Sequence, residues 1–464
     1  MTTLSDNIYS RKKALANAVD GQSPLCWRDL VTQAMSLAQK LRHSDLVVID
    51  GEICLGTYIA ITACVLGDTP FVLRNIRLET TAVLDYVITK LGATVRMHAS
   101  DSSVAVQRLI DAEWKLGTNL PPLRYVGLTS GTTGSVRAVL LPRDGHDAFL
   151  SRGSDRLHLA EGAVLADPAN ASDLSLTNFF LSLFSGSTWV PLIRIADRVR
   201  AFSSLLRFGA THWRSVPIWI SMFSNSTVGA ENPAMRFVGF GGETLTSGIA
   251  KAAHKLFPAA RILNTYGSTE TNGFASVADV TDDLVSGVDA PCSIGTELDG
   301  WSFSIRADRS ALELIVFSEH VAVGYVEFAL GSNTGLSVQP FNGRHETRDT
   351  VTKLQDGTLA VVGRLDRRFN YHGVLVSPEP LERRVSAVVC SSCCLFSNSS
   401  GLVLLIEGSN DDRANRVRLA LQEIPRNLWP VRVAHVSRIP RLPSMKVDYQ
   451  AASLLAARSH SLYE

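Results

Sequence analysis

The sequence predicts an α/β protein with a large N-terminal domain of mixed or parallel sheets, a β-rich subdomain and a small C-terminal α/β domain. Over the first 350 residues, short apolar runs alternate with amphipathic stretches whose apolar residues recur every three or four positions. Strands that alternate with helices are typical of largely parallel sheets. After residue 300 the apolar runs become shorter and are linked by turns, which predicts the β-rich subdomain.

The individual elements follow from these patterns. In the N-terminal part a helix is predicted at residues 27–43, and strands are predicted at 45–51, 69–75, 188–193 and 236–242. In the β-rich part, strands are predicted at 301–307, 312–318 and 358–363, with a hairpin turn at Asp356-Gly357. The C-terminal part is predicted to hold strands near 394–408, a helix near 410–423 and a final polar tail.

Length, composition and charge exclude several classes of protein. A chain of 464 residues exceeds the usual size of a single core, which predicts more than one domain. Its 45 basic and 44 acidic side chains give a net charge of +1, so neither nucleic acid nor a membrane is an expected partner. The polar N-terminus lacks the core of a secretory signal, and seven irregularly spaced cysteines argue against a disulfide framework. A cytoplasmic location is therefore expected.

The segment YVGLTSGTTGSVRAV (125–139) carries the strongest chemical signal. An apolar run leads into a loop of hydroxyls and glycines, made of Thr129, Ser130, Gly131, Thr132, Thr133 and Gly134. Successive backbone amides and hydroxyls in such a loop form a cradle for a polyphosphate. The loop lacks the spacing of a Walker motif. A plain Ser/Thr/Gly turn is the alternative interpretation.

This loop resembles the phosphate loop of the adenylate-forming (ANL) superfamily, and four further motifs match that family in order. The superfamily includes acyl- and aryl-CoA synthetases, luciferases and the adenylation domains of non-ribosomal peptide synthesis. Within the superfamily, the chain resembles a stand-alone amino-acid adenylation domain of the non-ribosomal peptide synthetase type. The family usually continues the loop with Pro-Lys-Gly, where this chain has Val136, Arg137 and Ala138. Arg137 would keep a cation near the phosphates.

Two of the matching motifs imply the nucleotide site. GFGGETL (239–245) resembles the segment that lines the adenine pocket, and LNTYGSTETNG (263–273) resembles the Tyr-Gly-x-Thr-Glu motif. By this resemblance Tyr266 packs on adenine, Thr269 contacts phosphate and Glu270 helps to hold Mg²⁺, a cation that prefers oxygen ligands. The remaining residues implied in nucleotide binding are Gly242, Glu243, Asn264, Thr265 and Gly267.

Asp349 and the two remaining motifs imply the ribose contacts, the hinge and a catalytic lysine. Asp349 corresponds to the family's ribose-binding aspartate, although Arg348 replaces the usual glycine before it. Gly363-Arg364-Leu365-Asp366 resembles the hinge motif, so Arg364 is expected to contact ribose or phosphate and Asp366 to begin the pivot. The resemblance thus divides the chain into an N-terminal adenylation domain, residues 1–365, and a mobile C-terminal domain, residues 366–464. Asn370 and Leu375 replace a frequent lysine and a frequent arginine just downstream.

Near the C-terminus, RIPRLPSMKVDYQ (438–450) resembles the family's terminal motif, with Met445 in place of glycine. Lys446 is then the mobile lysine. Its ammonium would bridge the substrate carboxylate and the α-phosphate, where negative charge grows during adenylation.

The segment 171–190 resembles the stretch that opens the acyl pocket, and it places Asp173 where amino-acid-activating members bind the α-ammonium. An enzyme for acids without an ammonium group has no need of a carboxylate at this position, where burying it unpaired would be costly. The alternative is a helix N-cap, because Asp173 precedes an apolar-periodic run. The other wall residues transferred by position are Leu174, Thr177, Ile218, Gly239, Gly241, Thr265, Gly273 and Phe274.

The sequence therefore predicts an AMP-forming ligase that uses ATP and Mg²⁺. It would adenylate an amino acid and pass the aminoacyl group to the phosphopantetheine thiol of a free-standing carrier protein. Two alternatives stay open: an acyl-CoA or amide ligase that uses the same adenylate, and a degenerate nucleotide-binding homologue without turnover. His146 is interpreted as a solvated histidine in a polar turn, because no nucleophile elbow accompanies it.

Overall fold

The structure, a computed structural model, describes most of the chain. The described residues are 2–12, 17–19, 24–51, 54–75, 86–100, 103–114, 120–130, 136–167, 173–192, 198–220, 234–281, 289–308, 311–328, 336–371, 374–389, 391–398, 401–408, 413–422, 424–441 and 447–458. They form helices and several sheets, which confirms the predicted α/β class.

The strands follow one another along the whole chain. The first thirteen are β1 Asn17–Val19, β2 Leu25–Cys26, β3 Val47–Gly51, β4 Phe71–Asn75, β5 Val95–Ala99, β6 Val104–Arg108, β7 Leu123–Ser130, β8 Val136–Pro142, β9 Val164–Asp167, β10 Thr188–Pro191, β11 His212–Ser215, β12 Phe237–Phe240 and β13 Arg261–Ser268. The others are β14 Gly273–Asp279, β15 Thr296–Glu297, β16 Ser302–Asp308, β17 Ala311–Phe317, β18 Gly324–Phe328, β19 Leu336–Pro340, β20 Arg344–Lys353, β21 Leu359–Arg364, β22 Phe369–Tyr371, β23 Val374–Val376, β24 Cys393–Asn398, β25 Gly401–Glu407 and β26 Arg432–Val436.

The described α-helices are α1 Leu4–Ser10, α2 Trp27–Ala38, α3 Leu55–Leu66, α4 Arg143–Arg156, α5 Asp173–Ser185, α6 Arg198–Arg207, α7 Ser247–Leu256, α8 Pro378–Val389, α9 Arg413–Leu421 and α10 Tyr449–Arg458. Short 3₁₀ turns occur at Thr269–Thr271, Leu365–Arg367 and Arg426–Leu428, and a π turn at Tyr86–Lys90. Within the described ranges, no helix is both long and apolar enough to span a bilayer.

Two large sheets form the N-terminal part. The first has the order β15-β14-β13-β12-β11-β9-β10-β1-β2, and its centre, from β13 to β1, is parallel. The second has the order β19-β18-β8-β7-β4-β3-β5-β6, with the parallel pairs β3–β4, β3–β5 and β4–β7. The prediction of mixed and parallel sheets is therefore confirmed.

The β-rich stretch after residue 300 contributes to two sheets. The strands predicted by sequence, together with β20, make an antiparallel sheet in the order β16-β17-β20-β21. The hairpin predicted at Asp356-Gly357 joins β20 to β21, and Gly357 has φ +84°, which suits glycine. Strands β18 and β19, in contrast, extend the second large sheet.

One apolar core fills the space between the two large sheets. It includes Trp189 and Phe274 from the first sheet, Phe71 and Tyr125 from the second, and Phe180 of α5. The rings of Tyr125 and Phe180 lie 5.9 Å apart between the sheets. This packing fixes the positions of β7, β13 and α5, which carry predicted site residues.

His146 belongs to this core, so its interpretation as a solvated residue in a turn is wrong. The segment around it is helix α4, and His146 is 1% exposed. Its ring packs edge-on against Phe180 at 4.6 Å between centroids. Burial lowers the pKa of His146 well below its usual value, and the ring is neutral.

The C-terminal part forms its own small core around the sheet β24-β25-β26. Strands β24 and β25 and helix α9 correspond to the predicted elements. Helices α8 and α10 and strand β26 were not predicted, and α10 lies in the stretch interpreted as a polar tail.

Candidate active site

The predicted site residues gather at the carboxyl ends of three neighbouring parallel strands in the first sheet. In the register of the sheet, Ser215 of β11 lies beside Phe240 of β12, which lies beside Asn264 of β13. The carboxyl ends of parallel strands in an open α/β sheet are the usual place for a ligand. The topology alone therefore favours a binding site here.

The predicted phosphate loop connects two antiparallel strands. Thr129 and Ser130 end β7, and their partners across the hairpin are Arg137 and Val136 of β8. Gly131, Thr132, Thr133 and Gly134 lie outside the described residues, as does the side chain of Ser130. Within β7, a Cβ on Gly127 would lie only 2.8 Å from Cγ2 of Thr269, so glycine allows the two motifs to approach closely.

Glu270 presents a carboxylate beside this hairpin. The hydroxyl of Tyr325 donates a hydrogen bond of 2.8 Å to its Oε1. Burial raises the pKa of the Glu270 carboxyl, but the nearby His345 ring and hydrogen bonds, including that from Tyr325, lower it more, so the pKa lies below its usual value. Arg137, which replaces the family's lysine, lies 5.4 Å from the ring centroid of Tyr325. The side chain of Tyr325 therefore lies between the guanidinium of Arg137 and the carboxylate of Glu270 and contacts both.

The predicted ribose residues Asp349 and Arg364 form one hydrogen-bonded cluster with Tyr266, which was predicted to pack on adenine. Asp349 accepts a hydrogen bond of 2.7 Å from the hydroxyl of Tyr266 and one of 2.8 Å from Nη1 of Arg364. Arg364, its partner across strands β20 and β21, also donates to both carboxylate oxygens of Asp366. Arg348 has φ +62°, a left-handed conformation that explains why the family usually has glycine at this position.

Replacing Asp349 with alanine is expected to raise the KM for ATP in ATP–pyrophosphate exchange by about ten- to a hundredfold. The reason is that hydrogen bonds to an ionised group contribute about 1.5–3 kcal/mol each, and about 1.4 kcal/mol corresponds to a factor of ten. Glu319→Ala is a suitable control because that carboxylate is 85% exposed. An unchanged KM for ATP in the Asp349 variant would contradict the assignment.

Asp173 is the first residue of α5 and lies half-buried within the site. Its carboxylate accepts a hydrogen bond from the hydroxyl of Thr269, which follows β13. The contact joins the residue predicted to bind the substrate ammonium to the residue predicted to face phosphate. Thr269 is not part of α5, so this contact links Asp173 to a different element of the fold.

The predicted acyl pocket contains a residue that sequence reasoning missed, Arg214 of β11. Its Nη2 donates to Oγ1 of Thr265 at 3.3 Å, and its guanidinium carbon lies 4.8 Å from the ring centroid of Phe274. A Cβ on Gly239 would be 3.5 Å from Cγ of Arg214, and one on Gly241 3.7 Å from its Nη2. Arg214 thus lies among four of the predicted wall residues.

The other predicted wall residues have different surroundings. Thr177 is buried in α5, and Gly273 begins β14 with φ +125°, where an added Cβ would lie 2.4 Å from Cζ of Phe149. Leu174 and Ile218 pack against a second core, which α6 and α7 form with the first sheet. Ile218, transferred by position, follows β11, but the side chain from this part of the chain that reaches Thr265 and Phe274 is that of Arg214, within β11.

Lys446 lies outside the described residues, but the residues around it are described. Arg441 pairs with Val447 in an antiparallel bridge that encloses residues 442–446. Nη1 of Arg441 lies 3.9 Å from Oε1 of Glu243, which was predicted to line the adenine pocket. Arg441, five residues before Lys446, therefore lies beside the predicted adenine segment.

Comparison with known proteins agrees with this geometry. The profile of the family described as AMP-binding enzyme matches residues 6–311. The D-alanine–D-alanyl carrier protein ligase of Bacillus licheniformis is 25% identical over 403 residues, covering 79% of each chain. That of Streptococcus pyogenes serotype M5 is 27% identical over 360 residues, covering 70% of this chain and 69% of the relative. The crystal structure of the anthranilate CoA ligase AuaEII with anthranoyl-AMP has the same fold, with a TM-score of 0.79, 15% identity and 98% coverage of both chains.

Proposed function

Because the chain belongs to the AMP-binding enzyme family, we propose that it adenylates an amino acid with ATP and transfers the aminoacyl group to the phosphopantetheine thiol of a free-standing carrier protein. The observation that carries this proposal is the contact between Asp173 and Thr269. It places a carboxylate suited to an α-ammonium beside a hydroxyl suited to a phosphate. The carrier-protein relatives support the choice of acceptor.

In the first step, a carboxylate oxygen of the amino acid attacks the α-phosphorus of ATP. An O–P bond forms as the bond to pyrophosphate breaks, and the products are aminoacyl-AMP and pyrophosphate. Asp173 holds the ammonium, and the cluster of Tyr266, Asp349 and Arg364 holds the nucleoside, so that the reacting atoms are aligned. Thr129 and Lys446 donate to the phosphate oxygens, on which negative charge develops, and Thr269 joins them when its single hydroxyl proton turns from Asp173 to the phosphate.

The donor set at Glu270 fits Mg²⁺. Mg²⁺ in such sites is bound by one or two carboxylates together with substrate phosphates and water. Glu270 supplies an ionised carboxylate, and within the described ranges no group of three or more potential ligands forms a complete protein cage. When bound, the ion would neutralise phosphate charge. The chain's own part is to hold that carboxylate in place through Tyr325.

In the second step, the thiolate of the carrier attacks the carbonyl carbon of the adenylate, a C–S bond forms and AMP leaves. The C-terminal domain, residues 366–464, would rotate about Asp366 between the two steps. Asn370 and Leu375, which both differ from the family's frequent residues, pair with each other across the hairpin of β22 and β23. The two departures thus form one cross-strand pair.

Amino-acid-dependent ATP–pyrophosphate exchange tests the first step. We expect exchange with at least one amino acid and none with its des-amino analogue. Mass spectrometry then tests the second step, with a pantetheinylated carrier protein, coenzyme A and hydroxylamine offered separately to the enzyme and its adenylate. A complete panel of amino acids without exchange would contradict the proposal that the protein is an enzyme. Faster acylation of coenzyme A than of every carrier protein would identify coenzyme A as the acceptor instead.

A further inference from the structure

The guanidinium of Arg214 is an exception among the buried arginines of the described chain. Three arginines there are buried, and two of them have a carboxylate partner. Arg74 pairs with Asp50 at 2.5 Å, and Arg124 pairs with Asp147 at 2.8 Å. Arg214 is 5% exposed, yet no carboxylate among the described residues forms an ion pair with it.

The hydrogen-bond partners of Arg214 are neutral. Nη1 donates to Oδ1 of Asn178 at 2.7 Å, and Nη2 donates to the hydroxyl of Thr265. Nε has no hydrogen-bond partner among the described residues, and the ring of Phe274 covers one face. Nε of Arg124 also lacks a hydrogen-bond partner among the described residues, so it is the missing carboxylate that distinguishes Arg214. Because buried charges in proteins are ordinarily paired, its positive charge is available for a ligand.

The protein charge that acts on Arg214 is that of Asp167, and Asn178 stands between the two. The amide of Asn178 donates to Asp167 at 3.3 Å while its oxygen accepts from Arg214. Burial lowers the pKa of Arg214 to about 9, and Asp167 offsets only part of this effect. At neutral pH the guanidinium therefore remains charged, and among the described residues no opposite charge is in direct contact with it.

We propose that Arg214 binds the side-chain carboxylate of the substrate, so that the amino acid activated is a dicarboxylic one such as aspartate or glutamate. This inference depends on the proposed function. The position of Arg214 supports it, because its guanidinium contacts Thr265 and Phe274, two of the predicted wall residues of the acyl pocket.

The test begins with wild-type enzyme in ATP–pyrophosphate exchange. Both enantiomers of aspartate and glutamate are compared with asparagine, glutamine and D-alanine, each at equal concentration. We expect a dicarboxylic amino acid to exceed its own amide by about a hundredfold or more in kcat/KM, the usual loss when a desolvated charge pair is broken. Preference for an amide, for alanine or for another neutral amino acid would overturn the inference and leave the proposed function intact. Exchange with no amino acid would overturn both.

Two matched variants separate recognition from structural support. Arg214→Met is expected to lose the preference for the dicarboxylic substrate while retaining its melting temperature within a few degrees, since it removes a charge that no carboxylate pairs. Arg124→Met is the control, and it should lower the melting temperature markedly because it leaves Asp147 buried without its partner. Unchanged preference in Arg214→Met would overturn the inference. If that variant does not fold, the wild-type comparison of acid and amide decides alone.

Discussion

Replacing Lys446 with alanine is expected to slow adenylate formation by about a hundred- to a thousandfold, the usual loss when one preorganised donor to a developing charge is removed. The ammonium would bridge the two reacting groups, so its loss should lower kcat more than it raises the KM for ATP. ATP–pyrophosphate exchange measures this step directly. The contact of Arg441 with Glu243 supports the expectation, because it holds the chain five residues before Lys446 against the site.

Lys353→Ala is the control for this variant. Lys353 ends β20, is exposed and carries the same charge. The second half-reaction provides a further check: when aminoacyl-AMP is supplied ready-made, the Lys446 variant should load the carrier thiol at close to the wild-type rate. An exchange rate within about threefold of wild type would contradict a catalytic role for Lys446, because the loss of such a donor usually has a much larger effect.

Much of the fold could be predicted because local and tertiary preferences agree. The apolar runs at 45–51, 69–75 and 236–242 contain strands. Strands of a sheet that is covered on both faces are apolar throughout, as these runs are. The stretch after residue 300 was harder to predict in detail. Alternation of apolar and polar residues can predict a strand, but it does not tell which sheet the strand joins. Strands β18 and β19 pair with the second sheet through long-range contacts.

Short contiguous motifs located those residues of the candidate site that the structure brings together. Tyr266, Asp349 and Arg364, which lie far apart in sequence, were each found by motif, and the structure brings them into one cluster. Arg214 was missed for a physical reason. Arginine is rarely buried, and a strand as short as HWRS does not reveal which of its side chains faces the pocket. An arginine just before the apolar run of residues 216–220 was itself the available signal.

Replacing Asp173 with asparagine is expected to lower kcat/KM for the amino acid by about a hundred- to a thousandfold, because a desolvated charge pair contributes about 2–5 kcal/mol. The des-amino analogue lacks the ammonium and should be affected little. The ratio of the two substrates in exchange, more than either rate alone, therefore reports the lost interaction. The bond from Thr269 can persist in the variant, since an amide oxygen also accepts.

Asparagine also distinguishes recognition from helix capping. Asparagine, aspartate and serine cap helices about equally well, whereas alanine costs about 1 kcal/mol at such a position. If Asp173 only begins α5, then Asp173→Asn should retain both melting temperature and selectivity, while Asp173→Ala should lose stability alone. If Asp173 binds the ammonium, both variants lose selectivity, and the asparagine variant does so at unchanged stability. Asp155→Asn, on the exposed face of α4, is the matched control and should change neither quantity.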